Sequence, residues 1–300
     1  MYDGTSPSEA GVSGRGMASP GGGLRDGRIG LRLRAAEGRT GGVTRLAELD
    51  QAAPLRCLFP TVSKAEPLTA CLTNTAGGLV GGDRMSVAVT VDPGARVLVM
   101  AQAAEKLYRS KGPDVRLDVS LSAGEGSWLE WLPQEMIVHN RARLRRVTRL
   151  DLNPGATVLA GEMLVLGRTA HGEQLTEGLI HDAWRVRVGG RLVWADALHL
   201  EGDLAEAIAH PAGFGGAVAL ATLVAHAPDG AALALMEEIR ERLAASPQVR
   251  AGATEVGGLL ITRFLSEDGL ALRAAFADIW GYSRQALGSY APVLPRPWHV

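Results

Sequence analysis

Apolar and polar side chains alternate with a period of two along much of this 300-residue chain. Met85, Val87, Val89 and Val91 oppose Ser86, Ala88 and Thr90, while Val115, Leu117, Val119 and Leu121 oppose Arg116, Asp118 and Ser120. Such alternation predicts half-buried strands. Residues 184–194 predict a hairpin, because the Gly189-Gly190 pair supplies the positive φ that a two-residue turn demands. Past Pro228 the period lengthens. Leu235, Met236, Ile239 and Leu243 recur at helical spacing within 231–245, with Asp229 as the cap and Pro247 as the stop. Leu270, Leu272, Ala275, Ile279 and Trp280 predict a second helix over about 267–287, residues 258–265 read as a strand, and the proline-rich 292–297 cannot be helical.

The turns recur as well. Asp92-Pro93-Gly94-Ala95 is echoed by Asn153-Pro154-Gly155-Ala156 and, more loosely, by the stretch Ser122 to Trp128. Gly94, Gly124 and Gly155 therefore mark a period of about 30 residues, as expected of stacked strand–turn–strand units, although any meander with Pro-Gly turns would look similar. The fold class that follows is mainly β: a β-solenoid-like or layered β-sheet body with a small α/β C-terminal lobe containing two helices. Residues 24–227 form the body and 228–300 the lobe. Residues 1–23, rich in Gly, Ser and Pro, have little to bury and read as a disordered tail.

Composition narrows the class of function. A 46% hydrophobic content over this length can bury a large core, and 31 basic against 32 acidic side chains leave no basic footprint for nucleic acid or an anionic membrane. No apolar run is long enough to span a bilayer and no secretory leader is visible, so the expected setting is the cytoplasm. Cys57 and Cys71, the only cysteines, sit in apolar strand-like runs and read as small buried hydrophobes rather than a disulfide or a metal site.

Candidate chemistry is sparse. The Gly77-Gly78-Leu79-Val80-Gly81-Gly82 run leads into a strand, not the helix a phosphate-cradling loop requires, so its glycines serve positive φ or close backbone approach. Asp83 beside it reads as a turn residue accepting backbone hydrogen bonds. The seven histidines show no HxH, HxxxH or HExxH spacing. More informative are carboxylates embedded in apolar runs: Glu105, Glu135, Glu162 and Asp196. Each needs a cationic partner, backbone donors, a wet cavity or a metal ion. Lys106, Arg109, Arg168 and Arg191 are the partners nearest in sequence. Glu105 and Glu135 each follow a turn glycine by 11 residues and are expected at equivalent stations of neighbouring layers. Sparse carboxylates of this kind would bind a transition-metal cation weakly enough to release it, and are equally compatible with no metal at all.

Six ordered blocks go further: residues 74–83, Gln102 to Ser110, Trp131-Leu132-Pro133-Gln134-Glu135, Glu162 to Arg168 with Gly172-Glu173, Trp194 to Leu200, and Leu294-Pro295-Arg296. Together they resemble the urease accessory protein D family, called H in some organisms, over roughly residues 28–298. The resemblance implies a β-rich scaffold, not an enzyme, that docks on apo-urease, binds accessory protein F directly and the GTPase accessory protein G through it, and supports nickel delivery. No cofactor would be held tightly; nickel would be in transit. By motif, Asp83, Glu105, Glu162 and Asp196 become candidates for lining the nickel path. Met136 and His139-Asn140 depart from the family pattern, which leaves His139 either an added ligand or a solvated substitute. The competing reading is a β-solenoid or jelly-roll carbohydrate-active enzyme using Glu105, Glu135 and Glu162 as acid and base, which the 5% aromatic content does not favour.

Overall fold

In the computed structural model, which describes residues 24–36, 43–168 and 172–299, the chain is a β-solenoid of about four turns built from two mixed sheets. The predicted tail over 1–23 lies outside the described residues. Strands β4 (Leu68–Asn74), β6 (Arg96–Ala101), β9 (Trp128–Leu132) and β12 (Thr157–Leu166) run parallel in one sheet. Strands β5 (Arg84–Val91), β8 (Val115–Ala123), β11 (Arg143–Leu152) and β13 (Glu177–Val188) run parallel in the other. Each coil contributes one strand to each sheet, so the apolar faces meet in a single interior. The alternation read in β5 and β8 holds, with Met85, Val87, Val89 and Val91 all buried. Short strands β7 (Glu105–Leu107) and β10 (Met136–Val138) add a narrow third face.

Further strands finish the solenoid. β1 (Asp26–Ala36) adds one more parallel strand beside β5, antiparallel β2 (Val43–Ala52) edges that end, and antiparallel β14 (Arg191–Asp203) closes the far end. β14 joins β13 through the predicted hairpin, whose Gly189 and Gly190 take φ of 58° and 79°. β3 (Leu55–Leu58) flanks β4, and β15 (Ala219–His226), β17 (Leu259–Ser266) and β16 (Arg250–Val256) continue the other sheet past β12.

The repeat is real, with its register corrected. Val91, Ala123 and Leu152 pair in line, so Asp92, Gly124 and Asn153 are equivalent, as are Gly94, Gly126 and Gly155. The closing turn bonds agree: Ala95, Ser127 and Ala156 donate to the carbonyls of Asp92, Gly124 and Asn153. Gly124 is thus a first turn residue, and it is glycine because a Cβ there would stand 2.8 Å from the Pro93 nitrogen of the coil below.

The C-terminal helices also need correction. α2 (Met236–Ala244) begins later than expected, after a 3₁₀ turn over Leu233–Leu235, and Asp229 does not cap it but sits in a left-handed conformation at φ 54°. α3 (Gly269–Gly288) is capped by Asp268, whose carboxylate accepts from the Leu270 and Ala271 amides. Leu272, Ala275, Ile279 and Trp280 are buried as predicted, but Leu270 is exposed at the first turn. A third helix, α1 (Leu204–Ala209), and strand β16 were not legible: the helix is six residues long, and β16 (RAGATEV) carries no apolar alternation. α3 lies on the outer face of β12, β15 and β17, and α2 lies beside it on β16 of the same sheet. That sheet is therefore covered on both sides, and its central strand β9 is buried throughout.

Candidate functional site

Two cavities lie between the sheets. The first, about 500 Å³, is lined by Asn74, Glu105, Gln134, Arg146 and Glu162 among apolar side chains, and exposed Gly77, Gln102 and Ala103 mark its mouth. The second, about 310 Å³, is lined by Asp182, Trp184, Asp196, Thr222 and Arg263, with exposed Gly213 and Ala197 at its rim.

Of the four candidates, Glu105 and Glu162 share the first cavity, Asp196 belongs to the second, and Asp83 lines neither. Asp83 is buried and accepts from the Val80 amide at 2.9 Å, as its turn role predicts, and from the Arg25 guanidinium at 2.7 Å. It holds the glycine loop, in which a Cβ on Gly78 would meet the Lys106 carbonyl at 2.8 Å. Glu105 takes hydrogen bonds from the Asn74 amide at 3.2 and 3.1 Å, and burial raises its carboxyl above the ordinary value against that contact. Asp196, one-third exposed, pairs with Arg263 at 2.7 Å.

Glu162 is the most constrained. Its neighbours on β12 turn Val158, Ala160 and Leu164 into the solenoid interior, while Gly161 faces α3, where a Cβ would strike the Phe276 ring at 2.5 Å. The Glu162 carboxylate accepts from the Thr148 hydroxyl at 2.6 Å and stands 3.0 Å from Arg146, which also holds Asp182 through two bonds of 2.9 and 2.6 Å. Burial pushes Glu162 up to about 7; Arg146 opposes the rise and Asp182 adds to it. Its Oε2 has no partner of hydrogen-bond geometry, and neither has the nearby Trp131 indole nitrogen.

The equivalence expected of Glu105 and Glu135 fails. Glu105 pairs in register with Met136, one residue further on, so Glu135 is not its equivalent; Glu135 also borders the first cavity, but its carboxylate is paired with Arg273. The spacing count misled because the true turn equivalent of Gly94 is Gly126. The cationic partners differ too. Arg146, Arg263 and Arg273 take Glu162, Asp196 and Glu135, and Asn74 takes Glu105, in place of Lys106, Arg109, Arg168 and Arg191; Arg25 takes Asp83. His139 is buried against Tyr108, ring centroids 4.9 Å apart, and burial lowers its pKa. Cys57 and Cys71 are buried free thiols.

Sequence reasoning passed over Arg146 and Asp182, yet a signal was present. Both occupy inward stations of alternating strands, Arg146 between Leu144 and Thr148, Asp182 between Ile180 and Trp184. His181 and His199, unremarkable in linear spacing, meet edge to face across β13 and β14, ring centroids 5.4 Å apart. Among the described residues no three His, Cys, Asp or Glu gather in a ligand cluster.

The structure defines a β scaffold of stacked coils around an apolar interior, with two cavities and carboxylates mostly committed to arginines. Comparison with known proteins places it. The UreD urease accessory protein family matches residues 25–299. UreD of Magnetococcus marinus is 43% identical over 263 residues, covering 86% of this chain and 90% of the relative. UreD 1 of Methylobacterium radiotolerans is 43% identical over 276 residues, covering 91% of each. The chain belongs to the UreD urease accessory protein family, a non-catalytic accessory family of urease maturation and nickel insertion, which overturns the carbohydrate-enzyme alternative.

Proposed function

We propose that this chain is the docking scaffold of a urease activation complex and conducts nickel toward apo-urease through its interior. The observation that carries this reading is the shared cavity of Glu105 and Glu162, two partly desolvated carboxylates with raised pKa on one enclosed surface. Oxygen donors of this kind, supplemented by water, suit a cation that must be released, whereas a cage of several imidazoles or thiolates would retain it. The route runs from the mouth near Gly77 past Glu105 to Glu162 and leaves by Asp196, with Asp83 fixing the loop at the entrance. Accessory protein F binds the scaffold directly, the GTPase accessory protein G through it. The cytoplasm is the setting, in keeping with two free thiols on adjacent strands.

The test is Glu105→Gln, which removes charge at constant volume while keeping an acceptor for Asn74. The variant is expected to keep its thermal midpoint and to co-purify with its accessory partners, while urease activated in its presence holds less nickel per active site. Full nickel loading by a folded, assembled variant would remove Glu105 from the route.

A further inference from the structure

Arg146 and Glu162 line the first cavity and Asp182 lines the second, so the three side chains form the partition between them. The middle member is a guanidinium, almost wholly buried, whose Nη2 lies 2.6 Å from Asp182 and 3.0 Å from Glu162. Two sheets supply the partition: Arg146 and Asp182 are register partners on β11 and β13, and Glu162 reaches across from β12 beside Thr222, which lines the second cavity. Free of Arg146, the two carboxylates would face one another around a site for a divalent cation. With Arg146 in place that site is filled by a tethered monovalent cation, and the Glu162 Oε2 that faces it at 3.0 Å has no donor of hydrogen-bond geometry.

We infer that Arg146 is the gate of the passage: it shuts the two cavities from one another and competes with the travelling cation for Glu162 and Asp182, so that neither carboxylate traps the metal. The inference rests on the conduit reading above and assigns its controlling residue. A divalent cation arriving at Glu162 repels the guanidinium and takes over one carboxylate. When the cation moves on, Arg146 returns to both. Nothing is transferred covalently; one cation is exchanged for another on the same oxygens.

Two variants of the full chain test this in complex with its accessory proteins and apo-urease. Arg146→Met removes the competing cation and leaves both carboxylates. Arg146→Met with Asp182→Asn removes the cation and one carboxylate together, which keeps the partition at the same net charge and protects folding. Nickel salt alone is the probe, read as nickel retained by the purified chain against a chromophoric chelator and as the rate at which nickel appears in separated urease. Arg146→Met should retain nickel about tenfold more tightly, since a like charge within a few ångströms has gone, and should load urease more slowly. The double variant should retain no extra nickel and load at least as fast as the unaltered chain. If Arg146→Met does not fold, the double variant's loading rate decides. Wild-type loading and retention in both variants would overturn the gate, as would an equal loss of loading in both without retained nickel, which would make Arg146 a wall. Glu105→Gln separates the two levels: loading lowered there but unaffected by either Arg146 variant overturns the gate and leaves the conduit standing, whereas loading unaffected in all three removes the conduit.

Discussion

Arg284→Met lowers the thermal midpoint on the order of 10 °C, the largest loss expected of any single substitution away from the passage. Glu130 is fully buried in β9 on the face toward α3. It accepts from the Trp128 indole at 3.0 Å, the Trp280 indole at 2.8 Å and the Arg284 guanidinium at 3.1 and 3.2 Å. Arg284 in turn reaches Glu66 at 2.6 Å and the carbonyls of Ala291 and Val293. One arginine thus ties α3, the C-terminal segment and the loop before β4 to the sheet. Removing it leaves a buried carboxylate without its cation, a change that costs about 3–5 kcal/mol, or a few degrees per kcal/mol for a chain of this size. Adding Glu130→Gln to the same chain should recover much of the loss, because a neutral amide oxygen still accepts from the indoles. Melting curves of the two variants measure this, and an unaltered midpoint in Arg284→Met would show that Glu130 is held by the indoles alone.

This network also shows where sequence reading stops. Glu130 lies in Trp-Leu-Glu-Trp-Leu, a run without alternation because both faces of β9 are covered, so periodicity could not assign it a side. Arg284 lies 154 residues away on a helix whose apolar spacing was read correctly. The strands of the solenoid were legible because one face of each meets the interior and the other meets solvent. The turns were legible because Pro-Gly chemistry repeats. The register was not, since two glycines two residues apart, Gly124 and Gly126, compete for one station and only the ladder pairing chooses between them. Glu105 and Glu162 were found as carboxylates in apolar runs. Their partners Asn74, Thr148 and Arg146 were not, because parallel coils bring together residues from separate turns of the chain that no local pattern connects.

Glu162→Gln is expected to stabilise the protein at pH 8 and to leave it unaltered near pH 4.5. Burial raises this carboxyl from 4.5 to about 7 in the folded chain. Between those values the folded protein keeps a proton that the unfolded chain has released, so stability falls as pH rises through this window and is flat above it. The amide removes the ionisation and the slope with it. It still accepts from the Thr148 hydroxyl, and Arg146 remains paired by two bonds to Asp182, so no cation is stranded. The gain above pH 7 is bounded by the shift at about 3 kcal/mol. Denaturant titrations of both proteins across pH 4.5 to 8 check the sign. A variant less stable than the original at pH 8 would mean that the contact with Arg146 outweighs desolvation and that Glu162 belongs to the core. A more stable variant that delivers less nickel to urease would set Glu162 apart from the buried carboxylates Asp83 and Glu130. Asp83 and Glu130 accept multiple strong donors and serve the fold, whereas Glu162 would be kept charged beside a cavity at the expense of stability, and the passage of a cation supplies the reason.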